Sequence, residues 1–353
     1  MGKHRQRTRL LSMKSGWWRW PFCAALVMTL LLYVPTPFAA YEPGIAISTK
    51  PLVRAVSPDS PGEGAFFLTT VKLTYANFWM ALRSAWDRNI ELFMKKDLLK
   101  GKTTGEYQQR LSVIMLGSQT DALEAAYRAA GIVYKIAPYA LVVSEAGTEA
   151  KSGGSGRLLT GDELIEVDGL AVNSLSELAA AIEGMPPGEE SEFTVIRNDK
   201  QITVRIRLHQ VQGEAGSAVE KAAAALGVKQ LTELRHVVPD DSTRSVAIDA
   251  EGIGGPSAGL MFALQALDEL TPGDLTGGFK VAGTGTIKPE GTVGAIGGVG
   301  HKVVAADRAG AQLFLVPERN AAEAADKARQ IGSGIKVIPV ATLSDGVQAL
   351  KNP

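Results

Sequence analysis

The chain has 353 residues, 45% of them apolar, with 37 basic and 37 acidic side chains. That length accommodates two or three domains with cores of their own, and a formal net charge of zero argues against a nucleic-acid partner held mainly through phosphates. Cys23, the only cysteine, rules out an intrachain disulfide.

In chain order the positive charge comes first. Lys3, Arg5, Arg7, Arg9, Lys14 and Arg19 all precede Glu42, the first acid. Residues 21–41 (PFCAALVMTLLLYVPTPFAAY) carry no charge, and Trp17, Trp18 and Trp20 stand at their leading edge. Apolar length and basic flank predict a single-pass anchor in the cell membrane, its N-terminus cytoplasmic and the working domains outside. The alternative is a signal peptide cut near Phe38-Ala39-Ala40, which leaves the chain secreted.

Residues 43–62 hold Pro43, Pro51, Pro58 and Pro61 and read as an extended connector. Residues 65–74 (AFFLTTVKLT) read as strand, and 75–99 as a mixed, helix-leaning stretch. Ser118-x-x-Asp121 marks the start of an Ala-rich helix that stops at Gly131. The whole of 42–129 is assigned a supporting role.

Residues 130–210 have another character. Two short β-like runs over 131–144 are broken by Pro138, and a Gly- and Ser-rich stretch follows over 151–156. Residues 159–169 (LTGDELIEVDG) read as a short strand closed by the Asp168-Gly169 turn. Ser174-x-x-Glu177 is a capping box for a helix over 175–182, which Pro186-Pro187-Gly188 ends. Residues 193–197 and 202–208 alternate as paired strands around Asn198-Asp199. This order, with its Gly-Asp-x-Leu-Ile-x-Val-Asp-Gly core and closing VIRNDKQITVRIRL, resembles a PDZ domain of the bacterial protease-associated kind. The resemblance implies a small β-barrel-like fold with helices and a groove that takes extended peptide by strand addition. Tyr139, Ala140, Leu141 and Val142 are the residues implied to line it. They do not reproduce the usual carboxylate-binding glycine pattern, so internal peptide and intramolecular docking stay open beside a free C-terminus.

Residues 211–234 read as a linker and a helix capped by Ser217-x-x-Glu220. A strand over 245–249 then leads into Gly254-Gly255-Pro256-Ser257-Ala258-Gly259, with Pro256 suited to the first helical position. An apolar helix runs to Leu270. Short strands over 277–297, a helix over 299–308, a buried strand over 313–316, a helix over 321–330 and a strand over 335–340 complete an α/β or α+β pattern.

The chemistry is carried by a serine and a lysine. Ser257 sits in the glycine-rich turn, and Lys302 follows it in Gly297-Gly298-Val299-Gly300-His301-Lys302. A serine needs a base beside it, and lysine serves when burial lowers its pKa. Val299, Val303 and Val304 give Lys302 an apolar flank. The backbone at Gly255, Pro256 and Ala258 is the candidate oxyanion site. Taken singly, such a serine is a helix cap and such a lysine is solvated; the pair within these flanks carries the catalytic reading. His301 is expected on the exposed side, because helical neighbours point about 100° apart. His4, His209, His236 and His301 show no metal-ligand spacing and no Gly-x-x-x-x-Gly-Lys-[Ser/Thr] occurs, so no cofactor is expected.

Residues 235–350 resemble the proteolytic domain of Lon proteases, through Gly-Gly-Pro-Ser-Ala-Gly, AGTGTIKPEGTVGAIGGVGHKVVAADRAG and LFLVPERN. The resemblance implies a Ser–Lys dyad with Ser257 as nucleophile, Lys302 as general base and Thr284 orienting the lysine. It also implies self-association. ATP-driven members often carry an acid where this chain has Gly254. The whole chain is similar to the membrane-anchored PDZ–Lon serine proteases. On that likeness it divides into a basic tail (1–20), an anchor or signal (21–41), the supporting region (42–129), a PDZ domain (130–210), linker and helix (211–234) and a Lon-type α/β domain (235–350). The expected activity is ATP-independent cleavage of exported or membrane-associated peptides. A PDZ adaptor with an inactive protease-like domain is the main alternative, and intact Ser257, Lys302 and Thr284 argue against it. A trypsin-like PDZ protease is disfavoured because no histidine environment fits.

Overall fold

A computed structural model describes residues 19–57, 62–147, 156–211 and 217–351. The basic segment 1–18 with Trp17 and Trp18, Pro58 and Pro61 of the connector, most of the glycine-rich run (151–155) and most of the linker (212–216) lie outside the described residues. The chain forms two compact units, Met1–Glu42 with Leu73–Leu98, and Pro43–Lys72 with Leu99–Pro353.

The first unit corrects the membrane assignment. Its helix Arg19–Tyr33 has 15 residues, about 22 Å at ~1.5 Å per residue, whereas a bilayer core is ~30 Å thick. The chain leaves the helix before Pro35 and continues as the strand Pro35–Ser48. No helix among the described residues is long and apolar enough to cross a membrane. The single-pass anchor and the location built on it are therefore not supported. Phe38, Ala39 and Ala40 pair antiparallel with Met94, Phe93 and Leu92, and both alanines are fully buried. Ala40, Ala76 and Ile90 form this unit's small core, with Phe38, Met80 and Leu92 packed on it. Asn77 caps the helix Phe78–Arg83 by accepting from Met80 N–H.

In the second unit, parallel pairing runs from Lys336–Val340 through Leu313–Pro317 and Lys280–Gly283 to residues 65–68 of the strand Ala65–Asn77. Both faces of this sheet are covered, as the alternation along its strands shows. Val281, Leu313 and Leu315 join one core with Leu260, Phe262 and Leu264 of the helix Gly259–Leu270. Ala282, Phe314 and Val316 join another with Val299, Val303 and Ala324, from the helices Val299–Arg308 and Glu318–Gln330. Parallel strands buried on both sides read as unbroken apolar runs, and LFLV is one.

The second sheet is antiparallel, in the order Val228–Pro239, Tyr134–Ala146, Glu163–Val167, Glu190–Arg197, Lys200–Arg207. Asp168-Gly169 and Asn198-Asp199 have all four residues at positive φ, the conformation a tight primed hairpin turn needs. Leu141, Leu164, Phe193 and Val195 meet Leu178 and Ile182 of the helix Leu175–Glu183 in its core. Pro138 does not break its strand. Lacking an N–H, it sits where the pairing with Val228–Pro239 shifts register, between Leu234 and Arg235.

Two further expectations change. Residues 43–48 of the supposed connector are strand. Ser118 does not start a helix: the helix is Thr104–Ala129, opened by a capping box between Thr103 and Glu106, and Ser118 is buried in its middle.

Candidate active site

The turn carrying Ser257 is a 3-10 turn, Pro256–Ala258, that runs straight into the helix Gly259–Leu270. It enters through Gly255 at φ 86° and ψ 159°, a conformation that disfavours any side chain. The sheet supplies the other wall. Beyond the strand Lys280–Gly283 the chain doubles against the turn: Gly285 N–H donates to the Ser257 carbonyl at 2.8 Å, and Leu260 N–H to the Gly285 carbonyl at 3.0 Å. Gly283 is required by close approach, since a Cβ there would lie 2.5 Å from Met261 Sδ.

Lys302 comes from one turn inside the helix Val299–Arg308, which starts at Gly298 in the left-handed region. Its Nζ lies 2.7 Å from Ser257 Oγ and 2.9 Å from Thr284 Oγ1. Thr284 Oγ1 donates in turn to the Ser257 carbonyl at 3.0 Å. Three residues far apart in sequence thus share one hydrogen-bonded cluster. Lys302 is 3% exposed and Thr284 fully buried, while Ser257 is half-buried. Burial pulls the Lys302 pKa down from 10.5 to about 7.

The backbone candidates differ among themselves. Pro256 has no N–H. Gly255 N–H is engaged by the Leu111 carbonyl at 3.0 Å. Ala258 is buried at the helix entrance. His301 is buried, not exposed. Its helix is enclosed around most of its circumference at this end, with Val299 and 301–306 all buried, so a 100° turn does not reach solvent.

Of Tyr139, Ala140, Leu141 and Val142, the last two are paired on both sides. Residues 140–142 pair with 232–234 on one side, and 141–142 pair with 163–164 on the other. Ala140, Leu141 and Val142 are buried, and Tyr139 stacks on His236 at 4.0 Å.

Sequence reasoning found only the second half of the helix Thr104–Ala129, from Ser118 onward, and missed its contact with the Ser257 turn. Ser118 Oγ donates to the Pro256 carbonyl at 3.1 Å, and Leu111 accepts from Gly255. A signal existed: Met115, Ser118, Ala122 and Ala125 recur on one buried face, so the serine occupies a core position of an otherwise apolar stripe.

Comparison with known proteins finds two domain matches. Residues 218–351 match the Lon protease (S16) C-terminal proteolytic domain, and residues 140–208 match the PDZ domain. The Lon protease of Azorhizobium caulinodans is 29% identical over 188 residues, 52% of this chain and 20% of that protein. The Lon protease of Azospirillum brasilense is 33% identical over 135 residues, 37% of this chain and 15% of that protein. A probable periplasmic serine endoprotease DegP-like of Halomonas elongata is 35% identical over 103 residues, 27% of this chain and 22% of that protein. The chain spans about a fifth of the length of these curated relatives.

Proposed function

From the matches of residues 218–351 to the Lon-type proteolytic domain and of residues 140–208 to the PDZ domain, we propose that the chain is a serine endopeptidase. In this reading Ser257 is the nucleophile and Lys302 the general base, and turnover needs no nucleotide. The observation that carries it is a buried amine, its pKa near 7, within 2.7 Å of a half-exposed serine hydroxyl.

A neutral amine has two N–H donors and one lone pair. Thr284 Oγ1 takes one N–H, which turns the lone pair toward Ser257. As Ser257 Oγ attacks the scissile carbonyl, its proton passes to Lys302 Nζ and the new C–O bond leaves an oxyanion. The N–H groups of Ser257 and Ala258, at the mouth of a helix, favour that charge. Lys302 returns the proton to the departing amine as the C–N bond breaks. Water then attacks the acyl-Ser257 ester, gives a proton to Lys302, and the ester breaks to restore the serine hydroxyl. Nothing in the cycle consumes a nucleotide, and the sequence holds no P-loop.

The PDZ sheet takes extended peptide in this reading. The strands that end this sheet, Val228–Pro239 and Lys200–Arg207, offer edges for strand addition, and the strand bearing Tyr139 is paired on both sides only at 141–142. The test is hydrolysis of an unstructured peptide by the full chain with and without ATP. Ser257→Ala and Lys302→Ala should each lose at least a thousandfold in kcat, given that triad-type groups act as a unit, and ATP should change nothing. Equal turnover by all three proteins would reject the dyad.

A further inference from the structure

The turn that carries Ser257 is held from outside the matched proteolytic span, by a helix that precedes even the PDZ domain. Two of its peptide planes are fastened to the helix Thr104–Ala129. The Gly254–Gly255 peptide donates its N–H to the Leu111 carbonyl at 3.0 Å, and the Pro256–Ser257 peptide accepts at its carbonyl from Ser118 Oγ at 3.1 Å.

The second bond bears on the chemistry. A peptide unit is planar and trans, so its C=O and N–H point in opposite directions. Fixing the Pro256 carbonyl on the side of Ser118 directs the Ser257 N–H away from that helix. The same carbonyl accepts from Gly259 N–H, so two donors fix the plane. A serine in mid-helix is disfavoured relative to alanine and ordinarily bonds back to its own preceding turn. Ser118 instead spends its hydroxyl on a different element, at a buried position. The approach depends on the absence of a side chain opposite: a Cβ on Gly259 would lie 2.9 Å from Ser118 Oγ.

We propose that Ser118 is a positioning residue, which aims the Ser257 N–H at the developing oxyanion by holding the Pro256 carbonyl. The inference rests on the protease reading above. A misdirected oxyanion donor weakens binding of the transition state while leaving ground-state binding alone.

The experiment compares the full chain with Ser118→Ala, with Ser118→Cys (a weaker donor of similar size), and with Ser112→Ala on the exposed face of the same helix, measuring kcat, KM and the pH profile on a peptide. A fluorophosphonate that labels nucleophilic serines gives a second readout. Ser118→Ala should lower kcat about tenfold, with KM and the pH midpoint near 7 unchanged, and should slow labelling to a similar degree. Ser118→Cys should fall between, and Ser112→Ala should match wild type. Full kcat and labelling rate in a folded Ser118→Ala or Ser118→Cys protein would overturn the proposal. So would a loss in KM, or in folded fraction, that accounts for the whole effect. Ser257→Ala separates the two readings: if it keeps wild-type turnover the protease reading fails, whereas an inactive Ser257→Ala beside a fully active Ser118→Ala sinks the positioning role alone.

Discussion

Lys302 has no counter-ion among the described residues, and its environment decides both what it does and what it costs. Its pKa falls from 10.5 in the unfolded chain to about 7 by burial, so between those values the unfolded chain holds a proton that the folded chain has released. Stability therefore rises with pH across that window, and the penalty for a buried charge is complete below about pH 7. Two outcomes follow from the sign. The kcat/KM should climb with unit slope to a midpoint near pH 7 and then level off, as a base working in its neutral form requires; a flat profile from pH 6 to 9 would contradict that. Lys302→Met, which removes the charge and keeps the volume, should be inactive yet melt higher than wild type, the gain being largest below pH 7 and vanishing towards pH 10.5. The sequence carried much of this site. Ser257 and Lys302 stand out by their flanks, and the valines around the lysine predicted its burial. What it concealed was direction: which backbone N–H groups of the turn are engaged elsewhere, and that His301 lies inside rather than outside, depend on neighbours contributed by distant segments.

Single elements show the same division between local and remote causes. The Asp168-Gly169 and Asn198-Asp199 turns were legible because their conformations are decided within two residues. The strand Val228–Pro239 was not. Its buried positions fall at 228, 231, 234 and 239, a spacing without period two, because register shifts break its pairing with Tyr134–Ala146. The helix Leu343–Lys351 also escaped, although Thr342 and Asp345 exchange capping bonds at its start. Where a motif was recognised, its energetics can be tested. Asp162, in the Gly-Asp segment of the PDZ sheet, is 1% exposed and meets Arg197 through two contacts of 2.7 and 2.6 Å, while accepting from Leu159 N–H. Asp162→Asn leaves the Arg197 guanidinium without its paired charge, and breaking such a buried pair costs about 3–5 kcal/mol. Chemical denaturation should register that loss. A change under 1 kcal/mol would mean that water replaces the carboxylate at little cost.

At the scale of the molecule, the two matched domains are not separable pieces of chain. The PDZ match ends at residue 208, yet the sheet it builds is completed by Val228–Pro239, which lies within the proteolytic match of 218–351. The proteolytic core, conversely, reaches back before the PDZ segment for Phe66, Leu68, Met115, Ala122 and Tyr127. The helix Thr104–Ala129 touches both bodies. It carries Ser118 and Leu111 against the Ser257 turn, and Asp121 against Arg235 at 3.1 Å, while Lys102 just before it and Arg110 within it hold Glu145 of the PDZ sheet at 2.7 and 3.0 Å. A fragment of residues 218–351 therefore lacks a central strand and a packing helix. Each large buried side chain removed from a core costs about 2–5 kcal/mol, so Phe66, Leu68, Met115 and Tyr127 together are comparable to the ~5–15 kcal/mol that holds a typical domain together. The isolated fragment should show no cooperative thermal transition and no peptide hydrolysis, where the full chain shows both. A fragment that melts cooperatively and turns over peptide near the full-chain rate would mean that residues 65–68 and 104–129 only decorate a core complete without them.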